Sequence, residues 1–277
     1  MLFSGMSRAV AVCVLSLLPF SAFAASEEKV NEFLSVTGFD VAIDTLPSSA
    51  KGGPAILGLE TRDFGPGFEL AASRAFDLST LRGEAIQKIS EGLSEEEIEH
   101  AIDFYDSPLG RRLVKAENIS HFDEDSAARQ IRGRIILAGM DADAQEERMN
   151  VLNVLAQASV TMEESLRSQT GAQFRFLVAA DYEGLHSLSL PEDMMYGLLL
   201  SSMLDMKDEI LMDAVVSSAV TYESFSNEEL VSYTKALQKE DMQSVYEVMD
   251  DVYFDLLGDS FVRLAEEMAK LGVSQEL

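Results

Sequence analysis

Glu97 and His100 stand three residues apart, a spacing that sets a carboxylate and an imidazole on one helical face and supplies one part of a carboxylate-bridged di-metal site. Such a site needs a second Glu-x-x-His and two further glutamates, and the matching position after Glu229 is Ser232. Asp141-x-Asp143 opens like a calcium loop, yet Glu146 occupies the sixth position, where glycine is needed, and Leu152 the twelfth, where a bidentate glutamate is needed. The run His121-Phe122-Asp123-Glu124-Asp125 reads as a cap for the next helix, the one carrying Ile131 and Ile135. Ser232-x-x-Lys235 lacks the Ser-Asp-Asn and Lys-Thr-Gly partners of a penicillin-binding site, and Ser26-x-x-Lys29 shows how readily that pattern arises. There is no G-x-S-x-G elbow, and the one cysteine, Cys13, lies in an apolar N-terminal stretch. The sequence therefore assigns no catalytic, metal or cofactor-binding residue. A pair of carboxylates assembled by the fold stays open as a route to hydrolysis, although the absence of Trp removes the commonest sugar-stacking platform.

The elements that would position such residues read as helices almost throughout, with apolar residues recurring at helical spacing. Ser94 and Glu97 form a capping box at the start of a helix that buries Ile98, Ala101, Ile102 and Tyr105. Ser107 and Pro108 then start a second helix with Leu109, Leu113 and Val114 inward. Ser226 and Glu229 repeat the capping relation 132 residues later, with Leu230, Tyr233 and Leu237 as the apolar stripe and Val245 where Leu113 would sit. Val30-Asn31-Glu32-Phe33-Leu34 is echoed by Met149-Asn150-Val151-Leu152 at a different offset. The expectation is an all-α protein of helical hairpins in an orthogonal or bundle-like array, with a possible tandem duplication: residues 1–24 a signal peptide, 25–140 a first helical domain, 141–277 a second. Lys51 to Gly67, rich in Gly and Pro, is expected as a long loop or irregular excursion. Met194 to Leu204 is expected as a buried helix segment too short to span a membrane, and the methionines at 194, 195, 203, 206 and 212 as core.

The run Phe104-Tyr105-Asp106-Ser107-Pro108-Leu109-Gly110, preceded by the acidic helix start at Ser94 and Glu97, resembles the signature of a secreted bacterial family known as domain of unknown function 2059. The resemblance implies an all-helical protein exported by a Gram-negative bacterium, with no assigned activity. The signature residues Ser94, Glu97, Phe104, Tyr105, Ser107, Pro108 and Gly110 read as architecture, with Gly110 permitting close approach of another helix. A functional reading places Tyr105 and Arg111 in a ligand groove.

Composition adds an address. Arg8, the apolar stretch Ala9–Phe20 and Ala22-Phe23-Ala24 form a secretory signal expected to be cleaved after Ala24, which makes the protein periplasmic. With 48 Asp and Glu against 21 Lys and Arg, a net charge of -27 argues against nucleic acid as a partner. The basic residues Arg111, Arg112, Arg129, Arg132 and Arg134 read as an ion-paired helix face. The leading expectation is a non-enzymatic module that presents a groove to an envelope protein or peptide partner. The alternative is a small-ligand binder or carboxylate-based hydrolase. No cofactor and no membrane span beyond the signal are expected.

Overall fold

A computed structural model describes residues 25–123 and 125–271, so the export signal read in residues 1–24 lies outside the described residues. All regular structure within them is helical, and many of the helices begin where a Ser, Thr or Asp side chain supplies a cap. Helix α1 (Glu27–Thr37) starts on the Ser26 hydroxyl and stops at Gly38, whose left-handed backbone (φ 76°) turns the chain into α2 (Phe39–Thr45). Lys51 to Gly67 is mostly short helical turns and not a long loop, with a non-helical kink at Gly65 (φ 65°). Two 3-10 segments, Leu46–Gly52 and Thr61–Gly67, flank the short α3 (Gly53–Ile56). Pro47 and Pro54 sit at helix starts, where a missing N–H costs nothing, and buried Leu46, Leu57 and Phe64 anchor these turns to the core.

Next come α4 (Phe68–Ala75), α5 (Leu78–Gly92), α6 (Glu95–Tyr105) and α7 (Pro108–His121). As expected, Ser94 and Glu97 cap α6 reciprocally, and the Ser107 hydroxyl accepts from the Gly110 amide at the start of α7. After α8 (Ser126–Ala138), capped by Asp125, follow α9 (Ala142–Leu155), α10 (Met162–Tyr182), α11 (Glu192–Asp205), α12 (Lys207–Thr221), α13 (Asn227–Leu237) and α14 (Glu240–Leu271). Ser226 and Glu229 close the capping box expected for α13, and Thr161 and Glu164 form another before α10.

The long α14 organises the core. It lies against α4, α5, α6, α10 and α13, and its buried stripe includes Met242, Val245, Val252, Leu256 and Leu264. At the other side α12 packs on α8 and α9. The neighbour pattern repeats: α1 rests on α5 and α6 as α9 rests on α12 and α13. Val245 and Leu113 are both fully buried.

The segment Met194–Leu204 departs from expectation. It is helical, within α11, but none of α11 is buried, and Met194, Leu198, Met206 and Met212 are about half exposed. The helix packs chiefly on α10, and its apolar residues run around its whole circumference, so one contact face cannot cover them. Among the described residues no helix is long and apolar enough to cross a membrane.

Gly110 fixes the α6–α7 corner. A methyl group there would fall 2.5 Å from the Tyr105 Cα and closer still to the Phe104 carbonyl, so the approach that glycine permits is that of the preceding helix end. Gly110→Ala is therefore expected to cost roughly 1–3 kcal/mol, read as a lowered urea midpoint. Gly83→Ala, at an exposed helical site with open space around it, is expected to add about 0.5–1 kcal/mol. Equal effects at the two sites would contradict this account of the corner.

Candidate functional site

Three helices bring phenols to one point. Tyr105 ends α6 and Tyr233 lies midway along α13, both in the buried stripes of their helices, and Tyr246 stands nearly two turns into α14, half-buried beside Val245. The Tyr105 hydroxyl lies 3.1 Å from that of Tyr233 and is hydrogen-bonded to that of Tyr246, and the Tyr233 and Tyr246 hydroxyls are 3.4 Å apart. A buried phenol needs a partner for its hydroxyl, and here each supplies the others. Phe104 stacks on the Tyr233 ring with centroids 5.8 Å apart and planes 7° from parallel.

A carboxylate stands beside this knot. Tyr222, at the end of α12, donates to Glu117 Oε1 of α7 at 2.7 Å. Tyr222 is aimed by Arg148, only 5% exposed, whose guanidinium donates to the Tyr222 and Phe225 carbonyls at 2.6 and 3.0 Å and to Asn227 Oδ1 at 3.0 Å. These bonds tie α9 to the α12–α13 connection and satisfy a buried charge.

Glu117, Tyr222, Tyr233 and Tyr246 line a partly open cavity of about 610 Å³ between helices from both ends of the chain. Phe39, Tyr253 and Asp250 complete the part that matters chemically, and His121 and Arg129 also line it. Burial raises the pKa of Glu117 above its ordinary 4.5, against the hydrogen bonds from Tyr222 and Tyr233 that favour the anion. Burial likewise raises Asp250. Burial and the neighbouring Glu117 push the Tyr222 and Tyr233 phenols well up, and Tyr246 is pushed up to about 12 by the same two causes. At neutral pH these phenols are therefore hydrogen-bonding groups and not bases. Desolvation and Arg129 hold His121 below 6.5, which leaves it neutral at pH 7. Arg129 is occupied by the Ser120 and Asp123 carbonyls and the Asp123 carboxylate.

The family-signature residues are placed as follows. Glu97 is spent on Ser94 and on the Ser244 hydroxyl at 2.5 Å; burial raises its pKa, but these bonds prevail and lower it. His100 faces Asp241 at 3.6 Å, so Glu97 and His100 act in separate contacts. Glu183 and His186 share the Glu-x-x-His spacing that sequence reasoning overlooked. They straddle Gly184 (φ 74°) after α10 has ended, so no helical face joins them. Among the described residues no three His, Cys, Asp or Glu side chains cluster to hold a metal ion. Tyr105 and Arg111 do line one groove, of about 450 Å³, with Val36 and Phe122. Arg111 is held there by Asp106 at 2.9 Å, and the Tyr105 hydroxyl is spent in the knot. Of the basic cluster, Arg111, Arg112, Arg129 and Arg134 are ion-paired with Asp106, Glu229, Asp123 and Asp213, whereas Arg132 has no ion pair among the described residues.

Glu117, Tyr222, Tyr246 and Arg148 were missed by sequence reasoning, and Tyr233 was read only as core. One signal was available: four of the seven tyrosines fall between Tyr222 and Tyr253.

Residues 79–133 match the model of a family described as uncharacterized protein conserved in bacteria (DUF2059), in agreement with the signature around Phe104 and Tyr105. Comparison with curated proteins and with solved structures gave no match. The matched segment runs from α5 into α8 and carries Tyr105 and Glu117, whereas Tyr222, Tyr233 and Tyr246 come from outside it.

A raised carboxylate pKa has a definite consequence for stability. Between 4.5 and the raised value the folded state holds more protons than the unfolded one, so Glu117 costs stability as pH rises through that window. Glu117→Gln is therefore expected to raise the melting temperature at pH 7 to 8, and the gain should vanish at pH 4. A gain independent of pH, or a loss at pH 8, would contradict this reading.

Proposed function

We propose that this protein is an exported, non-enzymatic binder of a small polar ligand. The observation that supports it is the cavity of about 610 Å³ walled by tyrosines, with Glu117 and Asp250 facing in, a size and lining suited to a small molecule. The phenols there stay protonated and His121 is neutral at pH 7, so they serve as hydrogen-bonding groups. Export rests on the N-terminal pattern of Arg8, Ala9–Phe20 and Ala22-Phe23-Ala24. A second reading, docking of an envelope protein partner, draws on exposed Ile131 and Ile135 of α8 and on Met194 and Leu198 of α11.

Two measurements test the proposal. The intact mass of protein recovered from the periplasm should correspond to a chain beginning at Ala25; a full-length mass confined to the cytoplasm would refute export. In a thermal-shift screen of neutral, anionic and cationic small molecules, at least one class should raise the melting temperature. That shift should disappear when Ala214 and Ser218, one turn apart on the cavity wall, are both replaced by Trp. Shifts identical in the filled variant, or none in the wild type, would refute the cavity as the binding site.

A further inference from the structure

We propose that the cavity is built for an organic ammonium ion, an inference that rests on the small-ligand reading above and names its ligand class. Its charge balance is one-sided. Glu117 accepts only from phenols among its described partners, Tyr222 and Tyr233, and Asp250 accepts from the Ser168 hydroxyl. Of the two basic side chains on the wall, Arg129 is neutralised by Asp123 and directed to the Ser120 and Asp123 carbonyls, and His121 is neutral at pH 7. Two carboxyl groups therefore face the cavity with no described cation opposite them.

The walls supply what a desolvated cation needs. Tyr222, Tyr233, Tyr246 and Tyr253 line the same space, and aromatic faces attract ammonium groups through the ring quadrupole, most strongly where water is excluded. Both carboxyl groups are disfavoured as anions while the site lacks a positive charge, and a bound cation removes that penalty. An anionic ligand would meet Glu117 and Asp250 with no described basic group free to pair with it. A neutral ligand would leave the carboxylates uncompensated. The phenol hydroxyls also suit a ligand with a hydroxyl or amine hydrogen-bonding group beside its charge.

The test compares isosteres by calorimetry on the purified protein: choline, its neutral carbon analogue 3,3-dimethylbutan-1-ol, and the anion 3,3-dimethylbutanoate, with 1,4-diaminobutane as a second cation. At least one cation should bind on the order of 10-fold or more tightly than the neutral and anionic probes. Glu117→Gln, expected to fold well, should remove most of that preference, and Tyr253→Leu, which lines the cavity outside the hydroxyl knot, should weaken cation binding while leaving Glu117 in place. Binding of the neutral or anionic probe as tight as that of the cations would overturn the ammonium assignment while leaving a binding cavity. Failure of both cations would overturn it too, and the cavity reading itself would fall only if the broader thermal-shift screen were also blank.

Discussion

A phenol hydroxyl withdrawn from water must find a partner or cost on the order of 1–3 kcal/mol. Tyr105, Tyr233 and Tyr246 meet that demand with one another, which is possible only if the end of α6, the middle of α13 and the start of α14 converge within hydrogen-bond reach. That convergence joins helices far apart in sequence. It requires the sharp α6–α7 corner at Gly110, the capping boxes that fix where α6 and α13 begin, and the long stripe by which α14 reaches from α13 to α4. The cavity lies beside the knot, where Tyr222 donates to Glu117 and Tyr233 and Tyr246 line the same space.

The same arrangement explains why this region trades stability for a site. Glu117 lies where burial disfavours its charge, and Arg148 is buried to hold Tyr222 in line with it. Neither placement follows from core packing, since apolar residues of similar volume would fill these positions without desolvation cost. Glu117 lines the cavity at a cost in stability, as the proposed binding site requires, and Arg148 supports it from outside the lining through the Tyr222 carbonyl. The helices that match the bacterial family contribute Tyr105 and Glu117, and the later helices contribute the remaining phenols. The repeated neighbour pattern, α1 on α5 and α6 beside α9 on α12 and α13, places Tyr105 and Tyr233 on corresponding helices of the two sets.

Much of the fold was legible in the chain because local rules and tertiary packing agree. Ser94 with Glu97, Ser107 with Pro108, and Ser226 with Glu229 each mark a helix start that the structure keeps. Lys51–Gly67 misled because Gly and Pro mark turns without saying whether the turns are packed, and buried Leu57 and Phe64 settle that only in three dimensions. The Met194–Leu204 segment misled in the opposite direction, its hydrophobicity suggesting burial that a helix at the margin does not receive. The site was nearly invisible. Tyr233 satisfies a helical stripe as well as Phe would, Glu117 sits in no motif, and their meeting depends on contacts more than 100 residues apart, which periodicity does not encode.

The account turns on Glu117 being a desolvated carboxyl held by Tyr222 within the phenol-lined cavity. NMR titration of the Glu117 side-chain carboxyl carbon tests this directly in wild type and in Tyr222→Phe. The account predicts a midpoint above 4.5 in the wild type and a higher one in the variant, because the lost donor had favoured the anion. A wild-type midpoint at or below 4.5, unchanged by Tyr222→Phe, would contradict it.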